Sequence, residues 1–155
     1  MKEKTSVASN NKPGDRSISN LLGCHRDGQL SLYIHIPFCV KKCLYCDFLS
    51  GPYDNKTQKA YVNALLLQIE KEASDYKEFR IISIFFGGGT PSLLEITLMN
   101  RIMTKLKQVF YICEDAEITI EANPGTLTYE KLILYKQAGI NRISIGLQST
   151  HNKEL

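Results

Sequence analysis

The sequence alternates short apolar stretches with amphipathic stretches, and this order restricts the chain to few folds. Apolar and β-branched residues predict strands at 30–36, 81–86, 116–122 and 141–147. Apolar residues at helical spacing predict helices at 57–77, 93–111 and 129–138. The resulting β-α-β-α-β-α-β order predicts an α/β fold with a parallel sheet and right-handed crossovers. An open doubly wound sheet and a barrel share this order, so the order alone does not choose between them.

Two of the predicted helices have a continuous apolar stripe, and the third has a defined end. The stripe of the first helix contains Tyr61, Leu65, Ile69 and Ala73. The stripe of the second helix contains Leu98, Ile102, Leu106 and Val109. Gly139 stands where the third helix needs a C-terminal cap, and Pro124 with Gly125 ends the strand before that helix.

Three of the four predicted strands have one polar face. Their polar residues are Tyr33 and His35, Thr119 and Glu121, and Ser144, Gly146 and Gln148. Parallel strands covered on both faces are usually apolar throughout, and a buried polar face needs hydrogen-bond partners or a ligand. We therefore expect helices on the apolar face and a polar ligand cavity on the other, as in a barrel or partial barrel. A solvated sheet face is the alternative.

The composition is that of a globular protein, with 43% hydrophobic and 23% charged residues. Residues 1–29 are polar and broken by glycine and proline, so we predict a flexible leader before a folded region at 30–155. The net charge of +3 gives no indication of nucleic-acid binding. No stretch approaches the roughly 20 apolar residues that span a bilayer. The N-terminus lacks the apolar core of a secretory signal, so we predict a cytoplasmic protein.

Three of the five cysteines fall in the segment CVKKCLYC, directly after the first predicted strand. Cys39, Cys43 and Cys46 have the spacing C-x3-C-x2-C. Thiolates hold iron–sulfur clusters, usually four to a cluster. Three cysteines would leave one iron of a four-iron cubane open to a small molecule. In a barrel, the loop after a strand lies at the active face.

A zinc site is the alternative for these cysteines. It requires a fourth ligand, and the nearest candidates by residue type are Cys24, His25, His35 and Cys113. Zinc motifs more often pair their cysteines as C-x2-C, which argues against this alternative. Cys24 and Cys113 stand alone and are interpreted as ordinary thiols.

Four sequence blocks, in order, resemble the radical-SAM enzymes. They are YIHIPFCVKKCLYCDF, FFGGGTPS, TIEANPG and RISIGLQS. More narrowly, they resemble the branch that contains oxygen-independent coproporphyrinogen III oxidase and the related haem chaperones. The resemblance runs from about residue 30 to residue 155. It implies a partial (β/α) barrel of the radical-SAM type, of which about the first four strands are present.

The resemblance also implies a set of cofactors and the residues that hold them. Cys39, Cys43 and Cys46 would hold a [4Fe-4S] cluster whose open iron binds S-adenosylmethionine (SAM). The residues expected around SAM are Tyr33, Tyr45, Gly88, Gly89, Thr90, Glu121 and Gln148. Without the resemblance, GGGTP fits a tight turn equally well, and Glu121 fits a core ion pair. His35 has no assigned role, and a hydrogen-bonded core histidine is an equally good interpretation.

Phe48 decides between the members of the branch. The oxidase pattern has a cysteine two residues after the third cluster cysteine, whereas this chain reads CDF, the pattern of the haem chaperones. The sequence therefore predicts a haem chaperone that transfers haem to an acceptor protein and depends on an electron donor. The alternatives are the oxidase of porphyrin biosynthesis and, more distantly, another radical-SAM enzyme. Members of both groups are longer, so we expect this chain to be an N-terminal part, with the haem region in the full-length protein.

Overall fold

The computed structural model describes residues 28–151 and Lys153, so almost all of the predicted leader lies outside the described residues. Its elements, in chain order, are β1 (Gln29–Ile36), β2 (Phe38–Cys39), β3 (Gly51–Pro52), α1 (Asn55–Tyr76), β4 (Arg80–Gly88), α2 (Ile96–Val109), β5 (Tyr111–Ala122), α3 (Tyr129–Ala138) and β6 (Arg142–Ile145). Single 3₁₀ turns, Pro91–Leu93 and Pro124–Thr126, follow β4 and β5.

The main sheet has the strand order β1-β4-β5-β6, and every neighbouring pair is parallel. The register aligns Ile34 with Phe86, Phe86 with Ile120, and Ile120 with Ile143. The predicted α/β fold with a parallel sheet is confirmed. In the described part of the chain the sheet stays open and does not close into a barrel.

The apolar core lies between one face of this sheet and the helices. The strands contribute buried Ile34, Ile36, Ile84, Phe86 and Ile120. The helices contribute buried Val62, Ile69, Ala73, Leu98, Ile102 and Leu106. Complete burial of a valine, leucine, isoleucine or phenylalanine side chain stabilises a fold by roughly 1.5–3 kcal/mol. This apolar layer therefore holds the helices against one face of the sheet. Both predicted helix stripes are confirmed, with Tyr61, Leu65 and Val109 partly buried at their margins.

The helix ends follow local signals in the sequence. Asp54 precedes α1, and its carboxylate accepts a 2.8 Å hydrogen bond from the backbone N–H of Thr57. Hydrogen bonds from the side chain and then the backbone of Thr57 lower the pKa of Asp54. Thr128 caps α3 in the same way through the backbone N–H of Lys131. Gly139 ends α3 in the left-handed conformation with φ of 105°, as predicted. None of the helices in the described part is long and apolar enough to cross a membrane.

Most predicted boundaries differ from the structure by one or two residues, and three of the differences have a visible cause or size. The second helix starts at Ile96 instead of residue 93, because Pro91–Leu93 forms the 3₁₀ turn. The third strand starts at Tyr111, five residues earlier than predicted. The fourth strand ends at Ile145, two residues earlier than predicted, because its last pairing is with Ala122, the final residue of β5.

The apolar face predicted for the last strand is only partly covered. Ile145 pairs with the buried Ala122 but is itself 54% exposed, and Leu147 is 62% exposed. Ile145 ends β6 and Leu147 lies just beyond it, and within the described residues β6 pairs only with β5. An apolar residue in such a position is buried only when another element covers it.

Candidate metal centre and cofactor site

The cysteine loop is the segment between β1 and α1 that carries Cys39, Cys43 and Cys46, and its two ends are held together. The short strands β2 and β3 pair in parallel, with Phe38 opposite Gly51. The backbone N–H of Gly51 donates a 2.6 Å hydrogen bond to the carbonyl oxygen of Pro37. The loop therefore leaves and re-enters the fold at the carboxyl end of β1.

The three cysteines occupy different positions on this loop. Cys39 lies on β2 and is partly buried, Cys43 is exposed, and Cys46 is partly buried. The backbone N–H of Cys46 donates to the carbonyl oxygen of Cys43 at 3.1 Å, which makes a tight turn. Among the described residues, no three His, Cys, Asp or Glu side chains converge closely enough to hold a metal ion. The structure thus gathers the cysteines on one loop without bringing their sulfur atoms to one point.

Cys39 packs against the glycine-rich segment that follows β4. The backbone N–H of Gly89 donates to the carbonyl oxygen of Ile36 at 2.9 Å, and that of Thr90 donates to the carbonyl oxygen of Phe38 at 2.8 Å. A Cβ atom on Gly89 would lie 2.7 Å from the Phe38 oxygen and 3.0 Å from the Cys39 sulfur. Only glycine allows the two backbones to approach this closely.

The Thr90 side chain lies between the cysteine loop and the end of β5. Thr90 is 6% exposed, and its Oγ1 lies 3.8 Å from the Sγ of Cys39. The amide Nδ2 of Asn123 donates to the same Oγ1 at 3.4 Å. The hydroxyl of Thr90 therefore contacts a cysteine sulfur within the protein.

A second group of side chains surrounds Gly87 on the polar face of the sheet. A Cβ atom on Gly87 would lie 2.9 Å from the Tyr33 ring, 2.8 Å from the Phe85 ring and 3.1 Å from a Glu121 carboxylate oxygen. The rings of Tyr33 and Phe85 are stacked, with centroids 6.1 Å apart. We call this recess, formed by Tyr33, Phe85, Gly87 and Glu121, the Gly87 notch.

Glu121 connects the Gly87 notch to the glycine-rich segment. Its Oε2 accepts a 3.2 Å hydrogen bond from the backbone N–H of Gly88. Burial and, to a smaller extent, the negative charge of Glu121 raise the pKa of Tyr33. Tyr33 is 60% exposed, so its ring is open to a ligand approaching the polar face, whereas Gly87 is buried beneath it.

His35 joins the polar face to the cysteine loop. Its Nε2 lies 3.1 Å from the carbonyl oxygen of Leu49, and its Nδ1 lies 3.1 Å from the hydroxyl of Tyr33. Because a carbonyl oxygen only accepts, Nε2 carries the hydrogen. The second ring nitrogen, Nδ1, shares a hydrogen bond with the Tyr33 hydroxyl, and the two bonds together hold the returning end of the loop.

The predicted site residues thus fall into separate groups. Tyr33, Gly88 and Glu121 meet at the Gly87 notch, while Gly89 and Thr90 meet at Cys39. Tyr45 is 74% exposed on the cysteine loop, where a hydrogen bond with Cys43 and the nearby cysteine charges raise the pKa of Tyr45.

Gln148 lies beyond the end of β6 and belongs to neither group. Its backbone has φ of 60°, in the left-handed region. Its Nε2 lies 2.8 Å from where a Cβ of Gly146 would stand, so the side chain folds back over that glycine.

Three contributors were missed by the sequence analysis, namely Phe85, Gly87 and Asn123. On β4, Phe85 lies opposite Tyr33 and Gly87 lies opposite His35, so both residues are on the polar face of the sheet. Treating β1 and β4 as neighbouring strands would have revealed both from the sequence. Asn123 belongs to the TIEANPG block, but it contacts Thr90, which lies 33 residues earlier in the chain. No pattern in the sequence around either residue predicts this contact.

The zinc alternative finds no support among the described candidate ligands. His35 uses both ring nitrogens in hydrogen bonds. Cys113 is buried near the start of β5, whereas the cysteine loop lies beyond the far end of the strands. Cys24 and His25 lie outside the described residues.

A parallel β/α sheet with a three-cysteine loop after its first strand defines the class of protein. The sequence profile of the Radical SAM superfamily matches residues 33–155. The chain therefore belongs to the Radical SAM superfamily.

Several curated relatives are similar over about four fifths of the chain. "Heme chaperone HemW" of Buchnera aphidicola subsp. Schizaphis graminum (strain Sg) is 53% identical over 129 residues, which cover 81% of this chain and 34% of the relative. "Heme chaperone HemW" of Escherichia coli (strain K12) is 44% identical, with the same coverage. "Anaerobilin synthase" of Escherichia coli O157:H7 is 37% identical, with 79% of this chain and 28% of the relative covered.

A solved structure has the same fold. The structure of Coproporphyrinogen III oxidase (HemN) from Escherichia coli, described as a Radical SAM enzyme, superposes with a TM-score of 0.77 at 30% identity. The match covers 90% of this chain and 32% of that structure's chain. The chain thus spans about a third of the length of the proteins it matches.

Proposed function

We propose that this chain is the part of a haem chaperone that holds a [4Fe-4S] cluster and SAM, in a protein that binds haem and transfers it to an acceptor. The main support is the 53% identity to a protein named as a heme chaperone. Membership of the Radical SAM superfamily implies the cluster and SAM. Haem, the acceptor protein and the electron donor are proposed for the full-length protein.

Cys39, Cys43 and Cys46 are the proposed cluster ligands. Their donor set fits the group, because thiolates are the protein ligands that [4Fe-4S] clusters require. Gly89 brings the backbone of the glycine-rich segment next to the Cys39 sulfur, because a Cβ atom there would lie only 3.0 Å from that sulfur. When bound and reduced, the cluster supplies one electron for the reductive cleavage of SAM.

The proposed SAM site combines the two groups of side chains at the carboxyl ends of β1, β4 and β5. Gly88, Gly89 and Thr90 would face the amino acid end of SAM, and Tyr33 and Glu121 would bind its polar groups. The Gly88 N–H and the Glu121 carboxylate already bond to each other, which orients Glu121 at the edge of the Gly87 notch. Tyr45 and Gln148 would contact SAM from the cysteine loop and from the end of β6.

Phe48 favours the chaperone over the oxidase. It lies on the cysteine loop two residues after Cys46 and is 67% exposed. A phenylalanine offers no thiolate, so a reaction that needs sulfur at this position cannot proceed. The three proposed cluster ligands do not include Phe48, and SAM binding is expected to be retained.

The second candidate function is that of oxygen-independent coproporphyrinogen III oxidase. The structural similarity to the Escherichia coli oxidase, with a TM-score of 0.77, favours it. The lower identity of 30% and the phenylalanine at position 48 argue against it.

The two candidates are separated by assaying the full-length product of the reading frame that encodes this chain. Under anaerobic conditions with reductant, SAM and coproporphyrinogen III, we expect no protoporphyrinogen IX. A haem titration followed by the Soret band is expected to saturate. Turnover of coproporphyrinogen III without haem binding would replace the chaperone by the oxidase.

A further inference from the structure

The Thr90 hydroxyl has two partners, and their chemistry fixes the direction of its hydrogen bonds. The amide Nδ2 of Asn123, 3.4 Å from Oγ1, only donates, so the oxygen of Thr90 accepts there. The hydroxyl hydrogen remains available for the second partner, the Cys39 sulfur at 3.8 Å. A thiolate sulfur only accepts, so the hydroxyl hydrogen of Thr90 points towards the sulfur of a metal-bound Cys39.

The surroundings restrict this hydroxyl to that geometry. Thr90 is 6% exposed, so water has little access to compete for its hydrogen. The backbone N–H of Thr90 bonds to the carbonyl oxygen of Phe38, the residue before Cys39. The backbone and the side chain of Thr90 therefore both contact β2, which keeps the Thr90 hydroxyl close to the Cys39 sulfur.

We propose that Thr90 raises the reduction potential of the cluster by donating a hydrogen bond to the Cys39 sulfur, with Asn123 positioning its hydroxyl. Reduction adds one electron, and negative charge grows on the cluster and its thiolate ligands. A hydrogen bond to a ligand sulfur stabilises that charge and so favours the reduced form. The inference rests on the proposed assignment of Cys39 as a cluster ligand.

The test is a redox titration of the reconstituted protein, followed by the EPR signal of the reduced cluster, in the absence of SAM. Omitting SAM removes any effect of Thr90 on SAM binding. We expect Thr90→Val, which replaces the hydroxyl by a methyl group, to make reduction about tenfold less favourable, a shift of about 59 mV to lower potential. Thr90→Ser keeps the donor and is expected to stay near the wild-type potential. Asn123→Ala is expected to give a smaller shift in the same direction.

Ser92→Ala is the matched control. Ser92 is also fully buried in this segment, but its hydroxyl bonds to the hydroxyl of Thr126 and does not contact Cys39. Its removal is expected to leave the potential unchanged. Equal potentials for the wild type and Thr90→Val, or equal shifts for Thr90→Val and Ser92→Ala, would overturn the proposal.

A measurement on the unaltered protein covers the case in which Thr90→Val does not hold a cluster. Resonance Raman spectra in H₂O and D₂O are expected to show an isotope shift in an iron–thiolate stretching band, and the lack of any shift would overturn the proposal. Failure of the wild-type protein to take up iron would instead reject the cluster assignment in the proposed function. The two failures are therefore distinguishable.

Discussion

The Nε2 atom of His35 lies 3.1 Å from the carbonyl oxygen of Leu49, fourteen residues further along the chain. This bond spans the whole cysteine loop, because His35 precedes Cys39 and Leu49 follows Cys46. On its other side the ring bonds to the Tyr33 hydroxyl, which belongs to the Gly87 notch. His35 thus connects the proposed metal centre to the proposed SAM site.

Replacing His35 by phenylalanine is expected to loosen the cysteine loop. The change removes two hydrogen bonds, each worth about 1 kcal/mol, so opening of the loop is expected to become about tenfold or more favourable. Lys41 and Lys42 lie exposed in the loop and make it a trypsin target. Mass spectrometry of brief digests is expected to show faster cleavage there in His35→Phe than in the wild type.

The exposed Lys71 on α1 provides the internal control for this digest. Cleavage after Lys71 is expected to proceed at the same rate in both proteins. His35→Gln, whose amide retains a donor for the Leu49 carbonyl, is expected to fall between them. Identical loop cleavage in wild type and His35→Phe would show that the His35 hydrogen bonds do not hold the loop.

The cluster assignment predicts the result of anaerobic reconstitution with iron and sulfide. We expect a broad brown absorbance and about four irons per chain. Cys39→Ala, Cys43→Ala and Cys46→Ala are each expected to abolish both, since each removes one of the three thiolate ligands.

Cys113→Ala is the control for the cysteine variants. Cys113 neighbours Ile112, which pairs with Ile81 at the start of β4, whereas Cys39 packs beyond the end of β4 at Gly89. Along a strand this separation is about 25 Å at roughly 3.3 Å per residue. The Cys113 variant is expected to take up iron normally. Stoichiometric zinc in the purified protein, with no uptake of iron, would refute the cluster assignment.

The sequence was sufficient for the parts of the fold that depend on periodicity. The alternation in β1 predicts that Ile34 faces the core and Tyr33 the other side, and the structure gives 7% and 60% exposure. The left-handed end of α3 follows from Gly139, because glycine adopts positive φ without a steric cost.

Other features had no periodic signal to reveal them. The strands β2 and β3 have two residues each, too few for an alternating pattern. The bonds from His35 to Leu49 and from Asn123 to Thr90 join distant positions and depend on the folded backbone. Alternation assigned Ile145 to the apolar face, but it carries no information on whether another element covers that face.

Gly87→Ala is expected to weaken SAM binding while the cluster is retained. The new Cβ would lie within 3.1 Å of Tyr33, Phe85 and Glu121, so these side chains must move from the Gly87 notch. Equilibrium dialysis of the reconstituted protein is expected to show at least about tenfold weaker binding, or about 1.4 kcal/mol. Iron content is expected to equal that of the wild type.

Gly125→Ala serves as the control for Gly87→Ala, because a Cβ at Gly125 would meet no atom within 4 Å. Its SAM affinity is expected to match the wild type. If Gly87→Ala binds SAM as tightly as Gly125→Ala, the notch is not part of the SAM site.

The exposed apolar residues at the edge of the sheet predict self-association of the chain. Ile145 and Leu147 are 54% and 62% exposed beside an edge of β6 that pairs with no other strand in the described part of the chain, and such edges promote aggregation. Ile145→Lys and Leu147→Lys are expected to raise the monomer fraction measured by light scattering, with unfolding free energies within about 0.5 kcal/mol of the wild type. Leu67→Lys, at a 73% exposed position within the helix α1, is expected to leave the monomer fraction unchanged. Equal gains from all three variants would mean that added charge, and not the edge of β6, controls association.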